Sequence, residues 1–121
     1  MVLHVVLYRP RPDVTPEALA SLADTIASTA AAISDVRSFR VGMRLADSPP
    51  YFGGPFPDFP YMAVVEFDNR EGLMRYLKHP AHEALGRAFN TTAEAALVYD
   101  YVVADGAESP APPGPKKNAA M

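Results

Sequence analysis

Hydrophobic and polar positions first alternate with a period of two. Val2, His4, Val6 and Tyr8 fall on one face of a predicted strand, with Leu3, Val5 and Leu7 on the other. Both faces are largely apolar, so the strand is expected to be covered on both sides. Arg9-Pro10-Arg11-Pro12-Asp13 reads as a loop, because proline cannot continue a ladder. Thr15-Pro16-Glu17 then supplies a helix start: an N-cap hydroxyl, proline at the first helical position and an acid in the first turn. Leu19, Leu22, Ile26, Ala30 and Ile33 form the buried stripe of a helix over about 16–33. A second strand follows over 36–45, fed by a Ser34-Asp35 turn. Gly42 inside it marks a bend in an edge strand, a bulge or a close backbone approach.

Tyr61-Met62-Ala63-Val64-Val65-Glu66-Phe67 is a third strand, again apolar on both faces. Asp68-Asn69-Arg70-Glu71 has the spacing of a capping box and opens a helix carrying Leu73, Tyr76 and Leu77. That helix stops at His79, which the following proline pushes out of the α region. Pro80 suits the first turn of a second helix, predicted to reach about Ala88 and to continue irregularly past Asn90-Thr91-Thr92. The last strand is read over 97–103. Between the second and third strands, residues 46–60 hold Pro49, Pro50, Pro55, Pro57 and Pro60 among Tyr51, Phe52, Phe56 and Phe59. Their rings are expected to pack, either as a lid over a cavity mouth or against a partner, with a proline-rich SH3-type ligand as a third reading. From Ala104 on, Gly, Ser, Ala and proline dominate, and 104–121 reads as a disordered tail.

The order β-α-β-β-α-β, with the second helix split, is an α+β ferredoxin-like plan: a four-stranded antiparallel sheet with helices on one face. The domain spans 1–103. Helices cover one side only, so the open apolar face calls for a second copy. Two sheets face to face would make a homodimeric barrel.

Composition narrows the function classes. A chain of 121 residues with net charge −3 has no nucleic-acid footprint. Its apolar segments fall short of the ~20 residues a membrane span needs. No charged leader precedes an apolar run, so a cytoplasmic protein is expected. Without cysteine, disulfides and thiolate metal sites drop out.

The chemistry concentrates in 76–89. His82, Leu85 and Phe89 stand at i, i+3 and i+7, one helix face, so His82 points inward with Leu and Phe. Tyr76 lies on the preceding helix, close enough to reach the same interior space. A neutral imidazole can take a proton from carbon beside a carbonyl, and a phenol can hydrogen-bond the enolate that forms. The blander readings are a hydrogen-bonded core role for His82, a cap role for His79 at the break and a backbone-carbonyl bond for His4. A metal site would need His4, His79 and His82 to converge across the break, so none is expected. Asp100, between two tyrosines, is read as accepting a hydrogen bond near the sheet end.

His4, the segment Asp68 to Tyr76, the run His79-Pro80-Ala81-His82 and Tyr99-Asp100-Tyr101 together resemble the stress-responsive dimeric α/β-barrel (Dabb) family over about residues 1–103. The resemblance implies a homodimer. The family includes plant polyketide cyclases that close an alkyl-resorcylic acid by intramolecular aldol reaction without a cofactor. Their working pair corresponds to His82 as base and Tyr76 as donor, with His4 in the same cavity. Tyr8, Phe52, Phe56 and Tyr101 are further candidates to line a site for a small apolar or ketide-like ligand. The Pro49–Pro60 segment is longer than the connection in those cyclases. A non-catalytic ligand-binding dimer and a cofactor-free monooxygenase are the alternatives.

Overall fold

The computed structural model describes residues 1–49 and 56–104. Its elements run β1 (Val2–Pro10), α1 (Pro16–Ala32), β2 (Ser38–Met43), β3 (Tyr61–Phe67), α2 (Arg70–Lys78), α3 (Pro80–Thr92) and β4 (Ala93–Val102). One antiparallel sheet has the order β2-β3-β1-β4. This is the ferredoxin-like arrangement, with the split helix in place.

Several boundaries differ from the sequence reading. β1 does not stop at Tyr8: Arg9 and Pro10 pair with Ala95 and Ala93, with a register shift between them. An irregularity of this kind is where a ladder tolerates proline. β4 starts at Ala93, directly after α3, although Ala-Glu-Ala-Ala favours helix. Pairing with β1 overrides that weak local preference. β2 is shorter than expected, and Gly42 pairs in continuous register with Met62, without a bulge. The cap of α2 is Asn69, whose side chain accepts from the Gly72 amide at 2.9 Å. The Asp68–Glu71 spacing therefore is not a capping box. Asp68 is drawn away to Arg37, whose guanidinium donates to it at 2.6 Å.

Val2, His4, Val6 and Tyr8 face the helices, opposite Phe67, Val65, Ala63 and Tyr61 of β3. The core there forms two clusters. One joins Val2, Ile33, Val65, Phe67, Leu73 and Tyr76; the other joins Tyr8, Leu22 and Leu85, and Phe39 packs against both. Buried Thr29, outside the predicted stripe of α1, donates to the Thr25 carbonyl at 2.8 Å and the Ala81 carbonyl at 3.4 Å. It thereby ties α1 to the start of α3. The other sheet face carries Leu3, Val5, Leu7, Met62, Val64, Leu97, Tyr99 and Tyr101, with none of the described helices over it. Met62, Leu97, Tyr99 and Tyr101 are exposed there.

Candidate active site

The break between α2 and α3 builds the site. His79 is extended at φ −72° and ψ 139°, and its backbone N–H bonds the Tyr76 carbonyl at 3.1 Å. Its ring caps the new helix, with Nδ1 accepting the Ala81 amide at 3.0 Å. That nitrogen is committed to the backbone. Across the break, Tyr76 in the last turn of α2 and His82 in the first turn of α3 meet, with ring centroids 4.7 Å apart. His4 comes from the sheet to complete the group, 5.7 Å from Tyr76 and 6.5 Å from His82 between centroids.

These three rings line a cavity of about 270 Å³ that fills the gap between the two core clusters. Its other walls include Phe39, Leu85, Phe89 and Val98. Tyr76 is 1% exposed. Burial pushes its hydroxyl up to about 12 from an ordinary 10.0. Among the described residues no buried polar side-chain atom is orphaned. The Tyr76 hydroxyl, with no protein partner there, opens onto the cavity. Desolvation lowers the His82 pKa from 6.5, and the nearby His4 ring adds to this, against smaller opposing effects of the Leu77 carbonyl and Glu83. The net effect favours the neutral form of His82, the form a base requires.

His4 is not bonded to a backbone carbonyl. Its Nδ1 donates to Asp100 Oδ1 at 2.6 Å. The two residues stand directly opposite on β1 and β4, so strand register makes the pair. A carboxylate on Nδ1 fixes the ring and leaves Nε2 as the free nitrogen. This contact was hidden in the sequence, because it depends on β1 and β4 being neighbours, 96 residues apart.

The remaining candidates do not join this group. Tyr8 is buried, and its hydroxyl donates to Thr92 Oγ1 at 2.6 Å, which ties it into the fold. It lines a second, apolar cleft of about 600 Å³ between α1 and the β2–β3 edge, where the Tyr8 and Tyr61 hydroxyls are the only polar side-chain groups among the described residues. Among the described residues the larger cleft has no imidazole or carboxylate in its lining, whereas the smaller cavity brings His4, Tyr76 and His82 together. Tyr101 pairs with Leu3, which puts it on the opposite face of the sheet from His4; it is 53% exposed there. Strand alternation separates it from the site. Phe56 is 59% exposed and lines neither cavity. Phe52, and the proposed tail beyond Ala104, lie outside the described residues. Among the described residues no three His, Cys, Asp or Glu side chains come together as a metal site.

A family model, the stress-responsive A/B barrel domain (Dabb), matches residues 2–103. The chain belongs to the Dabb family. No curated protein matches this Dabb chain. Solved structures with the same fold include a protein from Arabidopsis thaliana, with TM-score 0.73, 24% identity, and coverage of 87% of this chain and 97% of that one. A dimeric ferredoxin-like protein of unknown function from Bacteroides fragilis has TM-score 0.63, 30% identity, and coverage of 83% and 93%. Hydroxynitrile lyase from Passiflora edulis has TM-score 0.73 over 86% and 94% of the two chains, at 13% identity, a likeness that shows the fold alone. None of the described helices of this Dabb chain is long and apolar enough to cross a membrane.

Proposed function

We propose that this Dabb chain is a cofactor-independent enzyme of carbon-acid chemistry, of the polyketide-cyclase aldol type, working as a cytoplasmic homodimer. His82 takes a proton from carbon beside a carbonyl. Tyr76 donates a hydrogen bond to the oxygen that becomes the enolate. The enolate carbon attacks a second carbonyl of the same molecule, and the new alkoxide takes a proton back from the site. His4, oriented by Asp100, forms the third wall of the reacting space. The observation that carries this reading is that the His82 and Tyr76 rings, 4.7 Å apart between centroids, line one cavity together.

Each group in such a role contributes roughly 10²–10⁴-fold. The test is turnover of linear tri- and tetraketide thioesters by the wild type, His82→Ala and Tyr76→Phe. Loss of ring product in both variants, with the dimer intact, supports the proposal; turnover unchanged by either substitution defeats it. The second reading, a ligand-binding dimer without catalysis, draws on the separate apolar cleft of about 600 Å³. It predicts ligand affinity indifferent to the protonation of His82.

A further inference from the structure

The wall of the His82 cavity has a gap at one position of α3. His82, Leu85, Gly86, Phe89 and Asn90 all line it, the i, i+3, i+4, i+7, i+8 stripe of that helix. Gly86 therefore stands one turn beyond His82 on the same face. A Cβ built at Gly86 would meet nothing within 4 Å. Helix interiors disfavour glycine relative to alanine, and no close approach of another backbone requires it at this position.

Opposite α3, the cavity is bounded by Ala96 and Val98 of β4. Register with Tyr8 and Val6 directs both toward the helix side of the sheet. Residues so directed would normally be covered by a helix, yet Ala96 is exposed and Val98 is 53% exposed. Among the described residues of this one chain, the space between α3 and β4 is thus uncovered at the level of the site.

We propose that Gly86 is the access residue of the His82 cavity: its missing side chain, facing Ala96 and Val98, leaves the slot by which a small uncharged molecule reaches His82 and Tyr76. The slot is apolar, with the Asn90 amide as the polar group of its α3 side. The Asp100 carboxylate, two residues beyond Val98 on the same strand face, is taken up by the His4 ring, and among the described residues no Asp, Glu, Lys or Arg lines the cavity to pair with a charged ligand. A specificity assignment follows. Side chains at Gly86 narrow the range of ligands before any contact with the reacting groups. The inference rests on the proposed reading of this cavity as the reacting site, but its test does not need turnover.

The probe is diethyl pyrocarbonate, which acylates neutral imidazole. Site-resolved mass spectrometry follows its reaction with His82 and His4, using the capping His79 as internal reference. Gly86→Leu should slow the labelling of His82 relative to His79 about tenfold, the rate cost of ~1.4 kcal/mol added to the entry barrier. Ala96→Leu, closing the slot from the other wall, should slow it as well. Cyclohexanone should shield His82, and cyclohexanecarboxylate should not.

If Gly86→Leu is folded by circular dichroism and its His82 labelling matches wild type, the proposal is overturned. If that variant does not fold, Gly86→Ala and Ala96→Leu decide, and unchanged rates in both overturn it. Equal shielding by the ketone and the carboxylate overturns the uncharged-ligand class. Slowed labelling together with ketide turnover that survives His82→Ala would keep the slot and discard the catalytic reading.

Discussion

Tyr76 must stay protonated to serve as a donor, and this can be read from stability against pH. The folded-state pKa is about 12 against an ordinary 10.0, with burial as the cause. Below pH ~10 the phenol is neutral in both folded and unfolded chains and has no effect on the pH dependence. Between ~10 and ~12 the unfolded chain ionises first, so it binds fewer protons than the folded one and stability falls as pH rises. Two pH units at 1.36 kcal/mol each give a loss of up to about 2.7 kcal/mol. The figure is an upper bound, because the hydroxyl opens onto a cavity that can admit water. Tyr76→Phe removes the ionising group without stranding a partner. The assay is urea unfolding of wild type and Tyr76→Phe over the alkaline range at one protein concentration, so that oligomerisation does not enter. The wild type should lose stability more steeply than the variant, the other tyrosines cancelling in the comparison. Parallel curves would refute the burial argument, and with it the reason for expecting a protonated donor.

Two further outcomes follow from the geometry. The His82 pKa is lowered in the folded state, so just below ~6.5 the unfolded chain binds more protons and stability falls as pH drops; urea unfolding over the acid range should show a shallower acid limb in His82→Gln than in wild type. The open sheet face should seat a second copy, and Tyr101→Glu, which puts a charge into that face, should shift the protein to monomer in sedimentation equilibrium; a dimer of unchanged affinity would remove this face from the interface.

The order of elements was legible because strands and helices here carry clear periods. The break at His79-Pro80 was legible for a local reason: proline acts on its own neighbours. That single feature brings Tyr76 and His82 to one cavity. What the sequence hid is relational. Asp100 reaches His4 only through the pairing of the first and last strands, and nothing in Tyr99-Asp100-Tyr101 says which residue will stand opposite. The same register sends Tyr101 to the far face, against its expected place at the site. Tyr8 was on the right face but too far along β1, where Thr92 takes its hydroxyl. Gly86 escaped the sequence reading of the His82 stripe, because an empty position gives no hydrophobic signal. Ala93 to Ala96 carried a helical composition that β1 pairing overrode.

The central claim is that His82 moves a proton at carbon while Tyr76 holds the neighbouring oxygen. It is tested most directly without knowing the natural substrate, by nuclear magnetic resonance of α-proton exchange into D₂O for a panel of neutral β-diketones. Wild type should accelerate exchange above the buffer rate for at least one member. His82→Ala should return it to the buffer rate, and Tyr76→Phe should reduce it by roughly 10²-fold. Exchange that survives intact in His82→Ala would contradict the account.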